Sequence, residues 1–311
     1  MDRRVFLKQA LGMAGTGLAS QHIQAQSNMG RLLIIGGAED RLQDLQILRD
    51  FVAYCGGPKA RIRLLTTASS DPSAVWQTYD KAFARLGVGD VAPLSLRNRQ
   101  DAWSQENSQQ IMNADGLFIS GGDQSVLMQA IWDTPAYEAI HLAYAQRGCC
   151  VAGTSAGAAA MSRHMIAQGP ALLRPQKSVI DTTFGLGLLS RAVIDQHFSE
   201  RRRLARLLSV LAQRPDLMGV GIDEDTALLV RPRHTIEVLG QGMVTLVDAS
   251  QMRSNVDDVE DQAPLEMLGI ELHTLPAGHR YRLDPMDVGR DLPQSLLRLI
   301  QLLVEPGPIR I

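Results

Sequence analysis

The pentapeptide Gly153-Thr154-Ser155-Ala156-Gly157 lies between the apolar run Cys149-Cys150-Val151-Ala152 and the small-residue stretch Ala158-Ala159-Ala160-Met161. A short apolar run reads as a buried strand, and small residues on both sides of a serine permit a sharp turn into a helix. Strand, tight turn and helix together commit this region to an α/β architecture. In that context G-x-S-x-G lifts the serine out of the sheet, with the next backbone N–H and the helix N-terminus facing a developing oxyanion. Ser155 is therefore a candidate nucleophile. A tight Gly-rich connection without chemistry has the same pattern.

A nucleophilic serine needs a base within hydrogen-bond reach and a third group to orient it. Of seven histidines, His197 closes the short strand-like run Ala192-Val193-Ile194-Asp195-Gln196. Catalytic groups of parallel sheets collect at such strand ends. Met218-Gly219-Val220-Gly221-Ile222 is a second buried-type strand, and it ends in Asp223-Glu224-Asp225. These carboxylates are expected at the same edge of the sheet. The alternatives are a core or capping histidine and a solvated acidic turn.

Gly121-Gly122-Asp123-Gln124 follows the strand Gly116-Leu117-Phe118-Ile119 and precedes a helical pattern. The N–H groups of Gly122 and Ala156 are the candidate oxyanion hole, because a loop without Cβ atoms can approach a tetrahedral intermediate. Glu200 to Leu208 reads as the start of a helix with Leu204, Leu207, Leu208 and Leu211 as its apolar stripe. On that helix Arg201 and Arg203 flank the stripe, while Arg202 and Arg206 point away from it. A solvated basic face would look the same. Glu39 and Asp40, after Gly36-Gly37, could bind a guanidinium, but acids at that position read better as a helix start.

Five blocks in this order resemble the cyanophycinase family of serine peptidases, related to aspartyl dipeptidase. They are Ile35-Gly36-Gly37-Ala38-Glu39-Asp40, Ile119-Ser120-Gly121-Gly122-Asp123-Gln124, Gly153 to Ala158, Asp195-Gln196-His197-Phe198 with Arg201, Arg203 and Arg206, and Gly221 to Ala227. The resemblance implies Ser155 as nucleophile, His197 as base and Glu224 as the orienting acid. It implies substrate contacts from Gln124, Asp195, Gln196, Arg201, Arg203 and Arg206, and a fold similar to class I glutamine amidotransferases. The implied reaction is hydrolysis of cyanophycin, an aspartate backbone bearing arginine on each β-carboxyl, to β-Asp-Arg dipeptides, with no cofactor or metal. An aspartyl dipeptidase or other isopeptide hydrolase of the same family is the alternative, and a non-catalytic periplasmic peptide-binding protein is a more distant one. The order Ser, His, Glu differs from that of α/β-hydrolases. An esterase reading would require His234, His273 or His279 as base, and the last two lack a strand-end setting.

The expected fold is α/β: three α/β/α layers around a mostly parallel sheet, with a C-terminal antiparallel extension. Strands are expected at 31–35, 61–66, 116–119, 149–152, 192–195, 218–222, 227–230 and 243–247, and helices at 40–54, 72–86, 125–132 and 295–304. The short links Pro232-Arg233 and Gly240-Gln241-Gly242 suggest hairpins. The chain has 311 residues, 45% of them hydrophobic, enough for one large core without disulfides. Cys55, Cys149 and Cys150 make no disulfide framework or zinc motif. A net charge of −2 excludes a generally basic nucleic-acid binder.

Residues 1–26 read as a leader, with Arg3-Arg4 before Phe6-Leu7-Lys8 and a weakly apolar, Gly-rich stretch. This resembles a twin-arginine export signal and implies the export machinery as a partner and a periplasmic or extracellular address. A catalytic domain over 27–311 follows, and the reading leaves room for a homodimer.

Overall fold

The computed structural model describes residues 29–283 and 292–306. The expected leader lies outside the described residues.

The first half of the chain alternates strand and helix. In order come β1 (Leu32–Ile35), α1 (Gln46–Tyr54), β2 (Arg61–Leu65), α2 (Pro72–Arg85), β3 (Asp90–Pro93), α3 (Gln105–Met112), β4 (Gly116–Ile119), α4 (Gln124–Ile131), α5 (Pro135–Arg147) and β5 (Cys150–Thr154). Strands β1, β4 and β5 are buried along their whole length, as strands covered on both faces must be. Along β1, Leu33 and Ile35 pack with α1 and α2, while Leu32 and Ile34 face the opposite core. Helix ends follow local chemistry: Asp71 accepts from Ala74 N–H at α2, with Pro72 following it, and Thr134 with Pro135 does the same at α5.

After β5 come α6 (Ala156–Ala160), the antiparallel hairpin β6 (His164–Gln168) and β7 (Asp181–Phe184), β8 (Ala192–Gln196), α7 (Leu204–Gln213), β9 (Met218–Ile222), β10 (Thr226–Arg231), β11 (Thr235–Gly240) and β12 (Met243–Asp248). A short pair, β13 (Arg253–Ser254) and β14 (Met267–Leu268), precedes β15 (Glu271–Pro276), β16 (Arg280–Arg282) and α8 (Gln294–Val304). The large sheet has eight strands in the order β16-β11-β10-β1-β5-β4-β2-β3. Five of them, β1 to β5, run parallel, and β10, β11 and β16 extend the sheet antiparallel. The mostly parallel sheet and its antiparallel extension match the expectation.

A second, four-stranded sheet in the order β15-β12-β9-β8 is the main departure. Strands β8 and β9 belong to it and not to the edge of the large sheet. Its inner face, with Ile194, Val220, Ile222 and Leu246, joins the core beneath the large sheet, and α7 covers its outer face through Leu207 and Leu211. The second face of the large sheet is thus shared between helices and this sheet. The link Gly240–Gly242 accordingly makes no hairpin. It carries the chain from β11 in one sheet to β12 in the other, held by Gln241 N–H on the Asp225 carbonyl at 2.9 Å. Pro232-Arg233 does close a hairpin, β10 to β11.

Candidate active site

Ser155 closes β5 and opens α6 with φ 53° and ψ −114°. L-residues avoid this combination, at a cost on the order of 1–3 kcal/mol that surrounding structure must offset. The constraint is visible: Ser155 N–H donates to the Ile35 carbonyl at 3.0 Å, and its carbonyl accepts from Ala159 N–H at 3.0 Å. The small flanking residues are a packing requirement as well, since a Cβ on Gly157 would stand 2.3 Å from the Ile119 carbonyl oxygen.

His197, just past β8, is also left-handed, at φ 49°. Its N–H donates to the Gly36 carbonyl at 2.8 Å. The imidazole lies so close to Gly37 that a Cβ there would come within 2.3 Å of Cε1 and 2.4 Å of Nε2. His197 Nε2 is 2.9 Å from Ser155 Oγ, and Nδ1 is 2.5 Å from Glu224 Oε1. With Nδ1–H donating to the carboxylate, the Nε2 lone pair faces the serine hydroxyl. Burial pushes the His197 pKa below its ordinary value; the bond to Glu224 opposes this, and the Arg201 charge adds to the lowering. The ring is therefore neutral near pH 7, as a general base must be.

Glu224 lies where the chain crosses from β9 to β10, like Ser155 and His197 just past a strand end. Its N–H donates to Glu200 Oε2 at 3.2 Å and its carbonyl accepts from Thr226 Oγ1 at 2.9 Å. Gly121 lies beside Ser155, where a Cβ would be 3.2 Å from Ser155 Cβ. The neighbouring Gly122 is pressed against Ala68 and held at φ 140°. Ala156 is the first residue of α6, so its N–H has no acceptor within the helix. Both expected oxyanion donors thus belong to segments that flank Ser155.

The expected substrate-binding residues divide into two groups. Asp195 is 1% exposed and meets Arg206 in a two-pronged ion pair, Nε to Oδ2 at 2.9 Å and Nη2 to Oδ1. Arg206 is itself 5% exposed and gives Nη1 to the Gly169 carbonyl at 2.9 Å. Arg203 Nη1 reaches Asp195 at 3.3 Å, the Gln196 carbonyl at 2.5 Å and Gln196 Oε1 at 2.9 Å. Asp195, Gln196 and Arg206, expected to contact substrate, thus sit with Arg203 in one hydrogen-bonded network in which Asp195 and Arg206 are buried. Arg201 is exposed and forms no side-chain hydrogen bond or ion pair among the described residues, which leaves its fork open to solvent. The turn Ser199–Arg202 precedes α7, with Arg202 at φ 52°, so helical spacing does not apply to Arg201–Arg203. Gln124 donates Nε2 to the Ile166 and Ala167 carbonyls, both at 2.8 Å, leaving its oxygen as the side available to a ligand.

Two expectations at the first strand end are also corrected. The Asp40 carboxylate accepts from the N–H groups of Leu42, Gln43, Asp44 and Leu45, which form a turn, and α1 begins only at Gln46. Those bonds hold the Asp40 carboxyl well below the usual carboxylate range. Glu39 starts no helix; it is 2% exposed and accepts hydrogen bonds from Tyr79 and Thr154. His273 pairs with Ser295 and His279 with the Ala277 carbonyl, so neither supports the esterase reading. Among the described residues, no group of three or more His, Cys, Asp or Glu side chains could hold a metal ion.

The model of peptidase family S51 matches residues 32–238, a span that contains Ser155, His197 and Glu224. The chain belongs to peptidase family S51. It is a serine-type peptidase. The cyanophycinase of Nostoc sp. is 38% identical over 259 residues, 83% of this chain and 87% of the relative. That of Geminocystis herdmanii is 37% identical over 251 residues, 80% and 92% of the two chains. The five-block resemblance to cyanophycinases is borne out at this level. The crystal structure of a peptidase from an acI-B1 Actinobacterium covers 84% of this chain and 99% of its own at a TM-score of 0.58 and 24% identity, a likeness of fold.

Proposed function

We propose that this S51 peptidase hydrolyses cyanophycin to β-Asp-Arg dipeptides through an acyl-enzyme on Ser155. The observation that carries the reading is the unbroken chain Ser155 Oγ, His197 Nε2, His197 Nδ1, Glu224 Oε1 at 2.9 and 2.5 Å, with the open Arg201 fork beside it. Its support in substrate class is the set of cyanophycinase relatives.

His197 Nε2 takes the Ser155 proton as Oγ attacks a backbone carbonyl carbon of the polymer. The carbonyl electron pair moves to oxygen, where the N–H groups of Gly122 and Ala156 receive the charge. As the pair returns, the C–N bond breaks and His197 gives its proton to the departing amine. Water, deprotonated by His197, then attacks the ester carbon and restores Ser155 Oγ–H. Glu224 holds the imidazolium through both halves. Arg201 is the contact for an arginyl α-carboxylate, and Asp195 with Arg203 and Arg206 forms the ion-paired network next to it. The expected likeness to class I glutamine amidotransferases is part of this reading, supported by an elbow on a central strand of a mostly parallel sheet.

Purified protein incubated with cyanophycin should release a species with the mass of β-Asp-Arg. Intact polymer together with cleavage of short isopeptides would select the dipeptidase alternative. The reading also carries export: changing Arg3 and Arg4 to Lys should retain the precursor in the cytoplasm, and the exported form should begin at about Ser20 or Gln26. A full-length cytoplasmic wild type in fractionation contradicts it.

A further inference from the structure

The catalytic residues come from two different sheets. Ser155 is at the end of β5 in the large sheet, whereas His197 follows β8 and Glu224 follows β9 in the smaller one. A distance of 2.9 Å across that seam requires something to register one sheet against the other.

The loop 36–40 touches every segment involved, and on the side of the smaller sheet it does so chiefly through its backbone. Gly36 donates to the Thr226 carbonyl at 2.9 Å and accepts from His197 N–H at 2.8 Å. Gly37 accepts from Asp225 N–H at 2.9 Å and lies against the imidazole. Asp40 N–H donates to Asp225 Oδ1 at 2.9 Å. The loop thereby holds the His197 and Glu224 segments.

Its hold on the serine segment runs through a side chain. Glu39 is a buried carboxylate whose two oxygens each accept one hydroxyl: Oε1 from Tyr79, and Oε2 from Thr154 Oγ1 at 2.5 Å. Thr154 immediately precedes the strained Ser155. Tyr79 is anchored on its far side by Phe118, at 4.7 Å between ring centroids. Burial, with Glu39 beside it, pushes the Tyr79 pKa up, so the phenol remains a donor. A buried carboxyl group needs its oxygens hydrogen-bonded, and these two hydroxyls supply one bond to each.

We propose that Glu39 is a positioning residue for Ser155, gripping the Thr154 hydroxyl so that the loop 36–40 sets the nucleophile in register with a base and acid carried by the other sheet. This rests on Ser155 being the nucleophile, and the test separates the two claims. The full chain and its variants are treated with a fluorophosphonate, labelling of Ser155 is followed by intact mass, and kcat, KM and thermal midpoint are measured in parallel.

Thr154→Val removes the gripped hydroxyl at constant shape. It should slow labelling and kcat together by about 10- to 100-fold with KM within about twofold, and Thr154→Ser should return both to within about threefold of wild type. Tyr79→Phe disturbs the same carboxylate from the side away from Ser155. It should lower the thermal midpoint yet keep labelling and kcat within about fivefold. Glu39→Gln, which keeps the shape, should fall between the two and serves if Thr154→Val does not fold. Labelling of folded Thr154→Val or Glu39→Gln at the wild-type rate overturns the proposal, as do equal losses in Thr154→Val and Tyr79→Phe. A wild type labelled elsewhere than Ser155 overturns the nucleophile assignment itself.

Discussion

Arg201, Arg202, Arg203 and Arg206 occupy one short stretch, yet their guanidinium groups meet different surroundings. Arg206 is locked to the buried Asp195, Arg203 reaches Asp195 and Gln196 through Nη1, and Arg201 and Arg202 are exposed. Arg201→Ala should raise KM or lower kcat/KM by roughly tenfold to a hundredfold, the scale of a lost charge-assisted contact. Arg202→Ala should be nearly silent. Arg206→Ala should instead cost stability, about 3–5 kcal/mol, because it strips the main partner from a buried carboxylate. Equal small effects at 201 and 202 would mean a solvated basic face. Arg201 also bears on the pH dependence, behind burial and the bond to Glu224. Catalysis needs neutral His197, so kcat/KM should fall as pH drops through its folded-state pKa, which burial places below the ordinary value. Because Arg201 adds to that lowering, Arg201→Ala should move the acid limb to higher pH, and an unmoved limb would remove Arg201 from the vicinity of the base. That two of the four arginines are internal was not legible in sequence: an Arg pattern reports charge, whereas the partner Asp195 lies 11 residues from Arg206 and meets it through a turn that helical spacing does not describe.

At the scale of elements, the loop 36–40 is the feature whose weight the sequence concealed. Gly36-Gly37 after a buried strand signals close backbone approach, but not that the approaching group is the His197 ring. Gly37→Ala should leave the sheets folded and lower kcat by about 100-fold or more, since the new Cβ must displace the imidazole. Full activity in that variant would show that the ring is free to move. The strands β8 and β9 are readable from the apolar runs Ala192-Val193-Ile194 and Met218–Ile222. Their assignment to a separate sheet was not, because such runs report burial on both faces and not the identity of the neighbour. Helix α5 escaped the reading although Thr134-Pro135 and Gly148 bracket it, since burial on several sides erases the polar stripe that marks a surface helix. The elbow, by contrast, was legible because its small residues are fixed by local sterics.

Across the whole molecule, a mostly parallel sheet carries Ser155 and a smaller sheet tucked beneath it carries His197 and Glu224. Four of the ten non-glycine residues with positive φ among the described residues lie at their seam: Ala38, Ser155, His197 and Asp225. Residues held in sparsely populated conformations persist only where their surroundings fix them, and here those surroundings are the contacts that join the sheets. The order Ser, His, Glu along the chain follows from this construction and needs no relation to α/β-hydrolases. The account stands on Ser155 as the group that attacks the substrate. The direct measurement is kcat for cyanophycin hydrolysis by Ser155→Ala, with folding verified by circular dichroism and thermal midpoint. We expect a loss of at least ~10⁴-fold in a variant as stable as the wild type. Wild-type turnover by that folded variant would contradict the account.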